Sequence, residues 1–308
     1  MGKKPLTRKT GLVLSSEEEL LELLSRVLPK PSDEVISGIG DDCAVVNSPY
    51  HKDMFQLLKT DAVVEGVHFS PDTPLASVGW KALCRPISDI AATGGIPRHA
   101  LITVAAPSYW KRNDWISLYR GIGKATLSFE LSVIGGETVR SPGPLFISVA
   151  LVGYARKEHL RLRSGGHPGD LICVTGRLGG SFTSGRHLRF HPRLREGLWL
   201  SQQKGVTAMM DLSDGLGSDL PKLASASGCS FQIAFEKIPL NRGCSIQDAV
   251  SDGEDYELLF TLQPPKRKSL LEKWSSLFPR LPLTCIGQLT ASSVASTPIA
   301  SGYDHLKA

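Results

Sequence analysis

The run Val206-Thr207-Ala208-Met209-Met210-Asp211-Leu212-Ser213-Asp214-Gly215, continuing through Asp219 to Ala226 and Gly228, reads as one αβ unit. The apolar residues 206–210 predict a buried strand, and residues 219–226 predict a helix closed by Gly228. Asp211, Ser213 and Asp214 fall on the connection between them. Working outward, the alternation recurs. Strands are predicted at 43–46, 55–58, 100–105, 131–134 and 145–154, with helices at 77–93 and from Asn113. Further on, strands at 171–175, near 231–235, 257–262 and 283–289 flank a basic helical region. Ser16 and Glu19 make a capping-box pattern ahead of a short amphipathic helix stopped by Pro29 and Pro31. Strands alternating with helices in both halves predict layered αβ architecture throughout.

The chain has 308 residues, more than a single hydrophobic core usually serves. The Arg-, Gly- and Pro-rich stretch 155–170 is the predicted boundary. It gives a flexible basic arm at 1–14, an N-terminal domain at 15–155 and a C-terminal domain at 156–308. With 41% hydrophobic residues and recurrent apolar runs, the chain is globular, not disordered. Its six cysteines form no Cys-x-x-Cys pair, so they predict reduced, mostly buried thiols in a cytoplasmic protein. The longest apolar run, 146–155, is about half a membrane span, and no secretory or myristoylation pattern opens the sequence. The net charge of +5 is concentrated between Arg161 and Arg195. Phe182, Phe190 and Trp199 are too sparse there for a base-stacking platform, so neither a nucleic-acid nor a membrane partner is expected.

The acidic residues carry the functional signal. Asp41-Asp42 follow Gly38-Ile39-Gly40, Asp61 follows the strand-like run 55–60, and Asp89 lies near a helix end. Glu137 follows Ile134-Gly135-Gly136, and Glu254-Asp255 follow Gly253. Strand ends fix the acids that follow them, and glycine lets backbone approach a ligand. Carboxylates converging on one mouth of a sheet repel phosphate unless divalent cations bridge the two. Hard oxygen donors of this kind select Mg²⁺, and the chemistry they serve is phosphoryl transfer.

Each acid also has an ordinary reading. Asp41-Asp42 suit an Asx turn. Arg85 and Asp89, four apart on one helix, suit an exposed ion pair. Asp211 or Ser213 suits a helix cap, and Glu137 and Glu254 suit solvated loops. Only their joint arrangement points to a site. The Walker loop, the protein-kinase signatures and the His-Glu-x-x-His motif are all absent. Gly121-Ile122-Gly123 lacks the strand-to-helix context of a dinucleotide fingerprint.

At these same residues the sequence resembles the thiamine-monophosphate kinase family, within the aminoimidazole ribonucleotide synthetase-like superfamily. The blocks are Gly38-Ile39-Gly40-Asp41-Asp42-Cys43-Ala44, Thr60-Asp61 with Gly66-Val67-His68-Phe69, and Ser88-Asp89-Ile90-Ala91-Ala92. They continue with Ile134-Gly135-Gly136-Glu137-Thr138, Arg163-Ser164-Gly165 with Pro168-Gly169-Asp170, and Asp211-Leu212-Ser213-Asp214-Gly215-Leu216. Gly253-Glu254-Asp255-Tyr256-Glu257-Leu258 and Gly302-Tyr303-Asp304-His305 complete the order. The resemblance implies an α/β two-domain fold of this superfamily, with the N-terminal domains paired in a homodimer. It implies direct γ-phosphoryl transfer from ATP to thiamine monophosphate, with several Mg²⁺ ions and no side-chain nucleophile. Carried over by motif, Asp42, Thr60, Asp61, Asp89, Glu137, Asp211 and Asp214 would hold metal. Gly136, Glu137, Arg163 and Ser213 would contact ATP, and His68, Glu254 and Tyr303 the thiamine substrate.

Four positions depart from the family pattern: Lys59 stands at a metal-binding position commonly held by a small hydroxyl residue, Glu137 replaces Asp, Pro86 takes the place of a common Asn before Asp89, and Phe190 that of a Pro after Arg186-His187-Leu188-Arg189. The alternatives are another ATP-dependent enzyme of the superfamily with a different acceptor, or a nucleotide-binding homologue without turnover.

Overall fold

The structure is a computed structural model that describes residues 16–306; the arm predicted at 1–14 lies outside the described residues. Helix α1 (Glu17–Val27) opens as predicted, with the Ser16 hydroxyl accepting from the Glu19 amide at 3.2 Å. Two sheets follow. The first contains β1 (Val35–Ser37), β2 (Ala44–Asn47), β3 (Met54–Val64), β4 (Ile96–Pro107), β5 (Ser132–Ser141) and β6 (Phe146–Arg156), in the order β1-β2-β3-β6-β4-β5. Neighbours are antiparallel except β4 and β5, whose parallel pairing needs a crossover. Helix α3 (Arg112–Phe129) supplies it.

One face of this sheet is closed by α2 (Leu75–Ala92) and α3. Leu57, Val63, Ile102, Val104, Ile147 and Val149 meet Leu83, Ile87 and Ile90 in a single buried cluster. The two helices touch backbone to backbone. A Cβ on Gly79 would lie 2.2 Å from the Leu118 carbonyl oxygen, and one on Gly121 would lie 1.8 Å from that of Ala76. Gly121 is thus a packing glycine.

The second sheet is antiparallel throughout: β7 (Leu171–Thr175), β8 (Val206–Asp211), β9 (Cys229–Ile233), β10 (Leu258–Leu262) and β11 (Leu283–Ala291), ordered β8-β10-β7-β11-β9. Helix α5 (Leu216–Ala226) and the short α6 (Ile246–Ser251) cover one face, burying Leu216, Leu220, Leu223 and Val250 on Ile172, Val174 and Met210. Helix α7 (Arg267–Leu277) covers the other through Leu270 and Trp274. Ala92, at the end of α2, and Leu200, of α4 (Leu194–Ser201), join that same cluster, so α2 ties the two sheets together. Among the described residues no helix is long and apolar enough to cross a membrane.

The structure departs from the sequence reading in two instructive ways. Strand β3 does not stop at Thr60; it pairs residue for residue with β6 as far as Val64, leaving Asp61 in mid-strand. Strand β5 likewise runs through Glu137. Inward-facing Lys59 and Asp61 break the apolar period that marks a half-buried strand. Strand β1 and helices α6 and α7 were not anticipated. Helix α7 follows a Pro264-Pro265 turn without a side-chain cap and buries only Leu270 and Trp274, too thin a stripe to announce itself.

Candidate active site

The carboxylates of Asp42, Asp89 and Asp211 converge, each offering an oxygen within 4.8 Å of the others, and all three residues are buried. They come from the turn before β2, the last turn of α2 and the final residue of β8, so both sheets contribute. Such a cluster needs positive charge. Two basic side chains supply part of it. Lys59 Nζ lies 2.6 Å from Asp89 Oδ1. Arg163 donates from Nε and Nη2 to Asp42 Oδ1 at 3.1 and 2.6 Å. The other oxygen, Asp42 Oδ2, is buried and has no hydrogen-bond partner among the described residues. An orphaned anionic oxygen inside a group of carboxylates is the signature of a cation site, since burying it unpaired is costly. All-oxygen donors of this kind fit Mg²⁺.

The electrostatics agree. Burial, and then the neighbouring Asp42 charge, push the Asp211 carboxyl up to about 7 even though Ser88 donates to it at 2.6 Å. Burial and the charges of Asp61, Asp211 and Asp42 raise Asp89 too, against the pull of Lys59. Asp61 moves the other way: burial is outweighed by Lys59 and Arg85, which hold it ionised. Arg85 Nη2 stands 3.7 Å from Asp61 and its Nη1 donates to the Ala62 carbonyl. The exposed Arg85–Asp89 pair considered from the helix spacing is therefore not formed; Asp89 is turned inward to Lys59.

Beside the cluster opens a cavity of about 430 Å³. His68, Glu254 and Tyr303 all line it, joined by Arg85, Tyr256 and His305, and Ser213 and Asp214 stand at its wall. Three devices hold this wall. Lys81, fully buried, donates to both Glu254 Oε2 and the His68 carbonyl, each at 2.6 Å. Asp219 Oδ2 accepts the Ser213 and Asp214 amides at 3.0 and 2.9 Å, pinning the loop ahead of α5; the N-cap is Gly215, so neither Asp211 nor Ser213 caps the helix. The C-terminal tail then crosses the start of α5. Gly217 and Gly302 leave no room for a Cβ against the carbonyls of Ala300 and Asp214, and Tyr303 donates its amide to the Asp214 carbonyl at 2.8 Å. His68 accepts the Val64 amide on Nδ1, which requires a neutral ring; burial and the Arg85 and Lys81 charges lower it from 6.5 to about 3.

Three sequence-derived residues stand apart from this centre. Thr60 points to the opposite face of the first sheet, where its hydroxyl meets that of Ser148 at 3.5 Å. Gly136 and Glu137 lie on edge strand β5, with β6 and β4 between them and β3. Glu137 is exposed, and its contact is with the Thr138 amide. Gly136 has φ +152 and its missing Cβ would sit 1.9 Å from the Ile102 carbonyl oxygen. Asp214 is outside the Asp42–Asp89–Asp211 group and is paired with Lys222 at 2.6 Å.

Lys81, Ser88, Asp219 and Lys222 were not anticipated as site residues. The signal for the first two was present: Lys81, Arg85, Ser88 and Asp89 recur at helical spacing along a helix whose other residues, Ser77 apart, are apolar or small.

Residues 40–155 match the family described as AIR synthase related protein, N-terminal domain, and residues 174–295 its C-terminal domain. Thiamine-monophosphate kinase of Rhodopirellula baltica is 35% identical over 83% of this chain and 84% of its own. The chain belongs to the thiamine-monophosphate kinase family. The Salmonella typhimurium member is 33% identical over 88% of this chain and 92% of its own. The solved complex of AaThiL with AMPPCP and TMP superimposes with a TM-score of 0.80 at 31% identity, covering 96% of this chain and all of that one. The family membership accounts for the ordered sequence blocks and for the two-sheet architecture together.

Proposed function

We propose that this chain phosphorylates thiamine monophosphate with ATP, giving thiamine diphosphate. The observation that carries the reading is the convergence of Asp42, Asp89 and Asp211, with one orphaned oxygen, beside the cavity lined by His68, Glu254 and Tyr303. A solved relative that holds an ATP analogue and TMP supports it.

In this reading Asp42, Asp89 and Asp211 hold Mg²⁺, with Asp61 and Asp214 at its margins. The ions would neutralise the polyphosphate and the charge developing on the transferred group. The chain's own residues do the rest. Glu254, fixed by Lys81, and the aromatic ring of Tyr303 hold the cationic thiamine end. His68, neutral, offers a hydrogen-bonding edge without adding charge. Arg163, whose Nε and Nη2 hold Asp42, brings its remaining guanidinium donors and its charge to phosphate oxygens at the ATP end, where Ser213 also lies. Lys59 contributes a fixed positive charge beside Asp89. No nucleophilic side chain is required, because positioning and charge neutralisation suffice for in-line transfer between phosphates.

We further propose a homodimer paired through the outer face of the first sheet. That face exposes Leu58, Leu101, Val139 and Phe146, an apolar surface unusual for open solvent. Thr60 and Glu137 share it, so pairing there would bring them, and neighbouring Gly136, into the enclosed assembly as the ATP reading requires.

The test is direct. Purified protein with ATP, Mg²⁺ and thiamine monophosphate should yield thiamine diphosphate on chromatography, and Asp89→Asn and Asp211→Asn should abolish it. ATP binding without product would favour the nucleotide-binding homologue. Turnover of another acceptor, with none of thiamine monophosphate, would favour a different superfamily activity.

A further inference from the structure

Cys173 and Cys285 face one another as direct partners on the adjacent strands β7 and β11, with their Sγ atoms 2.9 Å apart. Opposed residues of antiparallel strands hold their Cα atoms roughly 4.5–5.5 Å apart, within the span of about 4.4–6.8 Å that a disulfide accepts. The bond can therefore close on the existing backbone.

The two thiols differ in access. Cys173 is fully buried in the cluster under α7, against Phe260 and Trp274. Cys285 is half-buried and lines a second cavity of about 380 Å³ that shares no residue with the cavity beside the carboxylates. Lys237 and Arg267 line it too. The Cys173 thiol, and then Arg267 and Lys237, bring the Cys285 thiol down to about 7 against the opposing effect of burial. Burial pushes the other five thiols upward. A partly accessible sulfur in an electropositive recess, backed by a second sulfur, is the arrangement in which thiolate oxidation is selective.

We propose that Cys285 and Cys173 are a peroxide-sensitive dithiol, with Cys285 the attacking and Cys173 the resolving sulfur. The Cys285 thiolate attacks hydrogen peroxide: an S–O bond forms, the O–O bond breaks, and hydroxide leaves. The Cys173 sulfur then attacks Cys285, the S–S bond forms, and the S–O bond breaks. Hydroxide departs with the Cys173 proton as water. Two thiols are oxidised and one peroxide is reduced to water. The inference rests on the second sheet alone and is independent of the kinase reading.

The experiment treats the folded full-length protein with hydrogen peroxide, blocks remaining thiols under denaturing conditions, and maps linked peptides by mass spectrometry. The expected result is a Cys173–Cys285 cross-link, loss of two titratable thiols, and recovery of both with dithiothreitol. In Cys173→Ser, dimedone should label Cys285 as its sulfenic acid; in Cys285→Ser, Cys173 should remain a free thiol. An unchanged thiol count, cross-links confined to other cysteines, or a Cys173→Ser protein whose Cys285 takes no dimedone would overturn the proposal.

Discussion

Lys59 places its ammonium 2.6 Å from Asp89, inside a group of carboxylates assembled from both sheets. Asp89 and Asp61 hold the lysine proton more firmly than water would, although burial opposes them. The chain therefore carries a covalently tethered cation among its carboxylates.

Replacing Lys59 by Met should leave Asp89 buried and unpaired. Without divalent ions, denaturant titration should show a loss of about 3 kcal/mol, the usual cost of breaking a buried ion pair from one side. Added Mg²⁺ should recover part of that loss, because it replaces the missing charge. An equal loss with and without Mg²⁺ would mean the lysine matters only through packing.

His68 sets an acid limit. Its folded value of about 3 lies below the ordinary 6.5, so the unfolded chain binds the extra proton between those values. Stability should be fully present above pH 6.5 and fall as the pH drops through that window, by at most about 1.4 kcal/mol per pH unit from this group. A His68→Gln variant should lose that part of the slope in pH-dependent unfolding. A slope identical to wild type would place the acid sensitivity elsewhere.

Lys81 acts on the acceptor through Glu254. Glu254 is held with φ 65, a conformation a non-glycine residue adopts only when its surroundings insist. In Lys81→Met the KM for thiamine monophosphate should rise by about tenfold or more, as expected when one charge-assisted contact of roughly 1.5–3 kcal/mol is lost. The KM for ATP should stay put. If the two rise together, Lys81 supports the whole site and not the acceptor wall.

Gly217 should be as sensitive as any residue that touches substrate. A side chain there meets the Ala300 carbonyl at 1.9 Å and must lift the C-terminal tail off α5. Gly217→Val should weaken thiamine monophosphate binding in calorimetry while a non-hydrolysable ATP analogue still binds. Unaltered acceptor affinity would show that Tyr303 takes no part in holding it.

Much of the architecture was legible because most strands are apolar runs and α2 has a broad apolar surface ending at Gly94-Gly95. The acids at a turn and a strand end, Asp42 and Asp211, were likewise visible, since glycine and strand endings frame them. What escaped was polar residues working inside regular elements. Asp61 and Thr60 are adjacent in sequence yet occupy opposite faces of β3, a separation that the pleat imposes and a motif string conceals. Glu137 read as a loop acid because Gly135-Gly136 resembles a turn; Gly136 serves instead the close approach of β5 to β4 at Ile102. Lys222 and Asp219, three apart on α5, gave no sign of reaching Asp214 until the tail and the loop closed over them.

Helix α2 carries Lys81 near the acceptor wall and Asp89 among the carboxylates, eight residues further along the same rigid rod. At 1.5 Å per residue the two stations stand about 12 Å apart along its axis. The helix thus works as a gauge: it fixes how long a molecule must be to reach from one anchorage to the other. Point substitutions can retune either end, but only inserting or deleting helical residues would reset the length that fits.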